Sequence, residues 1–174
     1  WQNPAASPDS IEKGSITGYG RLEGRVRGSS RGDNFLRMKR QAAHPNRISQ
    51  TITGLEPGAL YSIKMITSDY QDLVAGRSRK YQHAVSIDIN NTETIKNIQQ
   101  VFESSRGQEV PPFSSENHPW LNYHWRVFRA GAATADLTIA DWAAPAAAGG
   151  PAGQELVFNF IEVQPYHESG NPTH

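Results

Sequence analysis

Cysteine is absent from the 174 residues, which excludes disulfides and thiolate metal sites. Exported bacterial proteins are often free of cysteine, so this absence does not fix a compartment. Also missing is any apolar run near the roughly 20 residues needed to cross a bilayer, and the chain opens at Trp1 without a signal-like apolar segment. It reads as a soluble, excised or processed piece with no membrane partner. Neither sign of charge dominates: 17 Lys and Arg face 17 Asp and Glu, and the basic residues are scattered apart from "RSRK" at 77–80. No field gathers a polyanion, so nucleic acid is not an expected partner. Long helical periodicity is lacking as well, as are G-x-S-x-G, H-E-x-x-H and any phosphate-cradling glycine loop.

What is present is alternation. A chain of this length supports one domain with a substantial core, so residues 1–174 are expected to form a single unit. Residues 1–30, rich in Gly, Ser, Pro and charge, read as an irregular lead-in with one strand near 20–27, and 167–174 read as a tail or linker. From Phe35 onward, "FLRMKR", "RISQTIT", "LYSIKMIT", "HAVSIDI", "YHWRVFRA" and "DLTIADW" each alternate apolar and polar residues, the mark of half-buried strands. "ELVFNFIEV" is a nearly continuous apolar run and reads as a strand buried on both faces. "TETIKNIQQVF" reads as a short helix or a strand pair, and "RGQEVPPFSSENHP" as a loop. In "TGLEPGALY", Pro57 and Gly58 suit a turn in which Gly58 takes a positive φ and the chain reverses as a hairpin. Together these segments predict an all-β fold, an antiparallel β-sandwich of about eight or more strands. Its expected core includes Tyr61, Ile63, Met65, Val85, Ile87, Leu137, Ile139, Phe158 and Phe160.

The order of these segments resembles the galactose-binding-like jelly rolls over roughly residues 34–166. The "L-x-P-G-x-x-Y" run, the Trp120 strand, "ADLTIAD" and the closing "ELVFNFIEVQPY" carry the likeness. The resemblance implies a non-catalytic carbohydrate-binding module, secreted to an extracellular or periplasmic place and attached to a glycoside hydrolase or lyase. Its implied partners are a polysaccharide or oligosaccharide and the appended catalytic domain, and a monomer is expected. A structural calcium is common in such modules. Here Asn159 stands where many relatives place an aspartate, and the Phe-Glu pair of the usual opening is not recognisable.

Sugar rings stack their C–H faces on flat aromatic rings while polar side chains bind the hydroxyls. The candidate ligand residues are therefore Trp120, Trp142 and Tyr70, with Asp69, His124 and Arg126 as hydroxyl partners. Trp120 at a loop-to-strand boundary suits a core edge or a site equally. Trp142, opening the uncharged "AAPAAAGGPAG", either plugs the sandwich or stands at its rim, with the plug favoured. Trp125, in mid-strand, reads as a core tryptophan. No catalytic residue is expected: Asp69, Asp72, Asp88, Asp141 and Glu162 could supply a carboxylate pair, but any protein with this many acids offers such pairs. His118 and His124 match no zinc spacing. "RGD" at 31–33 is short enough to arise by chance, and "NNT" at 90–92 is a glycosylation acceptor pattern. The competing class is a structural or domain-packing sandwich without a ligand of its own, since a fold alone does not decide function.

Overall fold

The computed structural model describes residues 1–2, 10–22 and 32–168. These form an antiparallel β-sandwich of two sheets, consistent with a jelly roll. The strands in chain order are β1 (Ile11–Ser15), β2 (Asn34–Lys39), β3 (Arg47–Thr53), β4 (Leu60–Asp69), β5 (Ser86–Ile89), β6 (Thr92–Glu103), β7 (Trp120–Ala130), β8 (Thr134–Ala140) and β9 (Glu155–Pro165), with one short helix, α1 (Tyr70–Ala75), after β4. Six strands form the larger sheet in the order β1-β2-β9-β4-β7-β6, and three form the smaller in the order β3-β8-β5. No helix among the described residues is long and apolar enough to cross a membrane.

Alternation explains the core. On the smaller sheet Ile139 lies opposite both Ile48 and Ile87, and these three point inward against Ile63, Met65, Phe128, Leu156 and Phe158 of the larger sheet. A second apolar cluster covers the other face of the larger sheet, where Phe35, Ile66, Leu121 and Val157 pack under Tyr19, Leu73, Val110 and Phe113. Of the expected core, Ile63, Met65, Ile87, Leu137, Ile139 and Phe158 are buried between the sheets, with Tyr61 and Val85 partly buried against them.

Phe160 belongs instead to the second cluster. The pairing of β4 with β9 shifts register between Lys64 and Ile66, and Phe160 has φ of 53°. This bulge breaks the two-residue period and turns the ring to the opposite face. The closing strand is accordingly buried on both faces only over Leu156, Val157 and Phe158.

Several other expectations are corrected. The run through Pro57-Gly58 is not a hairpin: β3 pairs with β8 and β4 with β7 and β9, so the turn carries the chain from one sheet to the other. It is held by amides that donate to the β7–β8 connection, Leu55 N to Ala133 O and Gly58 N to Ala130 O. "TETIKNIQQVF" lies in one uninterrupted edge strand, β6. The first strand is Ile11–Ser15, paired with β2. Residues 20–22 of the expected strand near 20–27 fall in or just after a 3-10 turn at Tyr19–Arg21, and the remainder lies outside the described residues. The lead-in thus contributes Tyr19 and Leu22 to the core. Asp33 of the "RGD" tripeptide is buried, and its carboxylate accepts from the amides of Gly18 (3.1 Å) and Gly20 (2.8 Å); it holds that turn and is not an adhesion ligand.

Candidate functional site

A cleft of about 680 Å³ opens where the free edge strands of the two sheets, β5 and β6, diverge. The β6 side contributes Asn97, Ile98 and Gln99, the inner face of β7 contributes His124 and Arg126, and the segment after β8 contributes Trp142 to Pro145. Three of the six residues singled out by sequence, Trp142, His124 and Arg126, therefore converge. Register puts Asn97 and Gln99 on the same face as Arg126 and His124, whereas Ile98, 45 % exposed, pairs with Trp125 and faces away from the cleft.

Each of these side chains is held from behind. The Arg126 guanidinium donates to the carbonyl of Ile87 and to Asn97 Oδ1 (3.4 Å). Burial pushes its pKa below the ordinary arginine value, with the Asp88 charge opposing. His124 Nε2 meets Thr67 Oγ1 at 2.9 Å, and the same hydroxyl meets His83 Nδ1 at 2.7 Å. Burial lowers both histidines, His83 to about 4 and His124 to about 3, so each is neutral at physiological pH. His83 belongs to the irregular stretch 77–85, which fills the sandwich next to the cleft. This stretch is pinned by polar contacts: His83 N donates to Asn122 Oδ1 (3.0 Å), and Gln99 Nε2 donates to His83 O (2.9 Å) and to Asn122 Oδ1 (2.7 Å). Trp142 is 7 % exposed, with its indole N–H donating to Gln41 O at 3.3 Å. It closes the end of the cleft and offers no free ring face.

The other three sequence candidates lie elsewhere. Asp69 caps α1 by accepting from Asp72 N (3.0 Å), and its second oxygen accepts from Tyr81 Oη (2.5 Å) and Gln154 Nε2 (3.3 Å). Burial, followed by the Asp69 hydrogen bond and charge, raises the Tyr81 hydroxyl far above its usual range. Asp69 is 7 % exposed, so it is part of the scaffold. Tyr70 begins α1 with the Arg37 guanidinium carbon 4.4 Å from its ring centroid, and the Trp120 ring has Lys80 Nζ at 5.0 Å. Both rings are half-buried and already covered by a cation. Trp125, read as core, stands half-buried on the outer face of the larger sheet with its ring 5.8 Å from Tyr166. It lies outside the core between the sheets because residues of its parity on β7 face away from the smaller sheet.

Sequence reasoning missed the outward face of the smaller sheet. Register places Arg47, Ala140 and Ser86 in one row across it, and Ser49, Thr138 and Asp88 in the next. Thr51 and Asp136 open a third row, joined by a hydrogen bond of 2.7 Å. Asn90 completes that row, donating to Asp136 Oδ2 (3.0 Å) and accepting from Asp136 N (2.7 Å). A second cleft, also of about 680 Å³, lies over this face and is bounded by Trp1. The signal was available, because every second residue of "RISQTIT", "DLTIA" and "SIDIN" carries it.

The resemblance implies a structural calcium. Among the described residues no group of three or more His, Cys, Asp or Glu could hold a metal. Asn159 is also spent locally, donating to Gly32 O and accepting from Phe160 N (2.7 Å).

No protein-family model, curated protein or solved structure matches the chain.

Proposed function

We propose that this domain binds carbohydrate without cleaving it, at the cleft between β5 and β6, as an accessory to an appended polysaccharide-degrading catalytic domain. The observation that carries the reading is the convergence of Arg126, His124, Asn97 and Gln99 on one cleft that also presents Val85 and Pro145. Amide, imidazole and guanidinium groups bind hydroxyls from fixed positions, and the apolar side chains meet the C–H face of a sugar ring. The resemblance to galactose-binding-like modules supports the same class, along with an extracellular or periplasmic setting.

Three of the five carboxylates that could have served hydrolysis are engaged in the scaffold, while Asp88 lines the cleft. Asp69 is spent on α1 and Tyr81, and Asp72 on Arg77 (2.9 Å) and Arg79 (2.7 Å). Asp141, wholly buried, accepts from Asn46 N (2.8 Å) and Asn46 Nδ2 (2.7 Å).

Retention of the domain in affinity electrophoresis across a panel of plant, algal and microbial polysaccharides tests the reading. Binding on the order of micromolar to millimolar is expected, because the contact area is small and water competes for every hydroxyl. Asn97→Ala and Asp88→Asn, both at exposed positions, should weaken retention without lowering the melting temperature. The second reading, a packing sandwich without a ligand, is favoured by the cations over Tyr70 and Trp120 and by the burial of Trp142. It becomes the better one if the whole panel passes unretarded.

A further inference from the structure

The cleft at β5 and β6 is continuous with the cleft over the smaller sheet, because Asp88 and Thr138 line both. The combined groove starts at Trp142, runs over the rows of Arg47, Ser49 and Thr51, and ends against Trp1, whose ring is 56 % exposed. Alternate residues of a strand are roughly 7 Å apart, so three rows extend the groove by roughly 14 Å. That length exceeds one sugar ring.

We infer that the ligand is an extended, uncharged polysaccharide chain lying along this groove, with Trp1 as its distal stacking platform. The inference rests on the carbohydrate reading above and narrows it to a class. The floor is almost wholly polar: hydroxyls of Ser49, Thr51, Ser86 and Thr138 project from it. Its formal charges balance, since Arg47 and Arg126 face Asp88 and Asp136. Asp136 is already hydrogen-bonded to Thr51 and Asn90, and the Asp88 charge acts on Arg126. A groove with no surplus of either sign does not select a uronate or a sulfated chain. The single well-exposed tryptophan stands at the end away from Arg126, where a terminal sugar held in the β5–β6 cleft would not reach it. Gln2 fixes its neighbour: Gln2 N donates to Ser49 O (2.7 Å) and Ser49 N to Gln2 O (2.9 Å).

The test uses neutral polysaccharides (mixed-linkage β-glucan, xylan, galactomannan) beside polygalacturonate and alginate. Each is run with its own monosaccharide and disaccharide as competitors, on the wild type and on Trp1→Ala and Thr138→Tyr. The expected result is retention by at least one neutral polymer that its disaccharide fails to reverse. Trp1→Ala should weaken that retention about tenfold, and Thr138→Tyr, which blocks the groove midway, should weaken it at least as much. Both variants should melt as the wild type does. Full elution by a mono- or disaccharide would overturn the extended site while leaving carbohydrate binding intact, as would unchanged affinity in Trp1→Ala. Retention by the acidic polymers alone would overturn the neutral class. A dimer that Trp1→Ala dissociates in sedimentation would show that a second copy occupies the face. Passage of every polymer unretarded would sink the carbohydrate reading itself.

Discussion

Among single residues, backbone conformation separates glycines that sequence cannot tell apart. Gly58, expected at positive φ from its place after proline, has φ of 88°, and a Cβ built there meets nothing within 4 Å. Gly18 has φ of 85°, but its Cβ would stand 2.0 Å from Glu109 O, a backbone atom that cannot step aside. Gly58→Ala should therefore cost about 1 kcal/mol, the conformational term alone, and Gly58→Val somewhat more. Gly18→Ala should cost at least twice as much, because the turn that carries Tyr19 must also move. Denaturant midpoints of the two alanine variants check the ranking, and equal losses would count against it. The tryptophans invite a parallel contrast. Trp125 leans on Tyr166 at the rim, whereas Phe128 is fully buried between the sheets. Phe128→Ala should cost about 3–5 kcal/mol and Trp125→Ala less, the reverse of what a core position for Trp125 would give. Parity along β7 could have been read from the sequence; which parity faced the smaller sheet could not, because "YHWRVFRA" places large residues on both sides.

Strands were legible where one face is buried and the other wet, and less so where that contrast fails. β3 and β5 lie within the segments their alternation marked, and β4, β7 and β8 overlap theirs and run past one end by two or three residues. β6 was not recognised as one strand because it is an exposed edge. Its inward residues include the polar Asn97 and Gln99 while Ile98 and Phe102 face outward, and a register shift between Thr94 and Lys96 interrupts the period. A bulge and a lysine on such an edge discourage pairing with another chain, so the features that hid the strand also protect it. The crossing from β3 to β4 misled for a different reason: Pro-Gly chemistry reports that the chain turns, not whether it returns to the same sheet. Half of the candidate site residues lie outside the cleft on similar grounds. Asp69 and Tyr70 follow a strand end, where an aspartate serves a helix cap as readily as a ligand. The 3-10 turn at Tyr19–Arg21 offers a check at this scale. Its two glycine amides depend on the Asp33 carboxylate. Asp33→Ala should cost about 1–3 kcal/mol by leaving buried donors unpaired, and it should speed amide exchange at Gly18 and Gly20 ahead of the rest of the sheet. Uniform exchange rates would place the support of that turn elsewhere.

Across the whole molecule, the buried histidines make stability depend on acid. His83 and His124 share the Thr67 hydroxyl between the larger sheet and the 77–85 stretch. Desolvation lowers His83, with Asp69 and Asp72 pulling upward and Arg40 pushing further down; desolvation and then His83 lower His124. Their folded values, about 4 and about 3, lie below the ordinary 6.5. The unfolded chain therefore takes up protons first, and the stabilisation present above about pH 6.5 is lost as pH falls toward the folded values. Two groups act in the opposite sense. Asp141, raised mainly by burial, stabilises the fold as falling pH neutralises it. His118, raised by its hydrogen bonds to Ser115 O and Ser104 O, contributes below its unfolded value and loses that contribution as pH rises through the folded one; its solvent exposure keeps the effect small. The histidine pair should dominate between about pH 7 and about pH 4.5, costing about 2 kcal/mol or more and lowering the melting temperature by about 5 °C. A His83→Asn, His124→Gln double variant keeps polar groups beside Thr67 but cannot titrate. Its melting temperature should start lower and change little over the same interval. If the wild type melts at one temperature throughout, or if the double variant retains the full slope, the acid sensitivity does not reside in this pair. Should the slope vanish as expected, the β5–β6 cleft loses its shape over the same interval, since His124 lines it and His83 holds Gln99, so ligand retention and melting temperature should decline together.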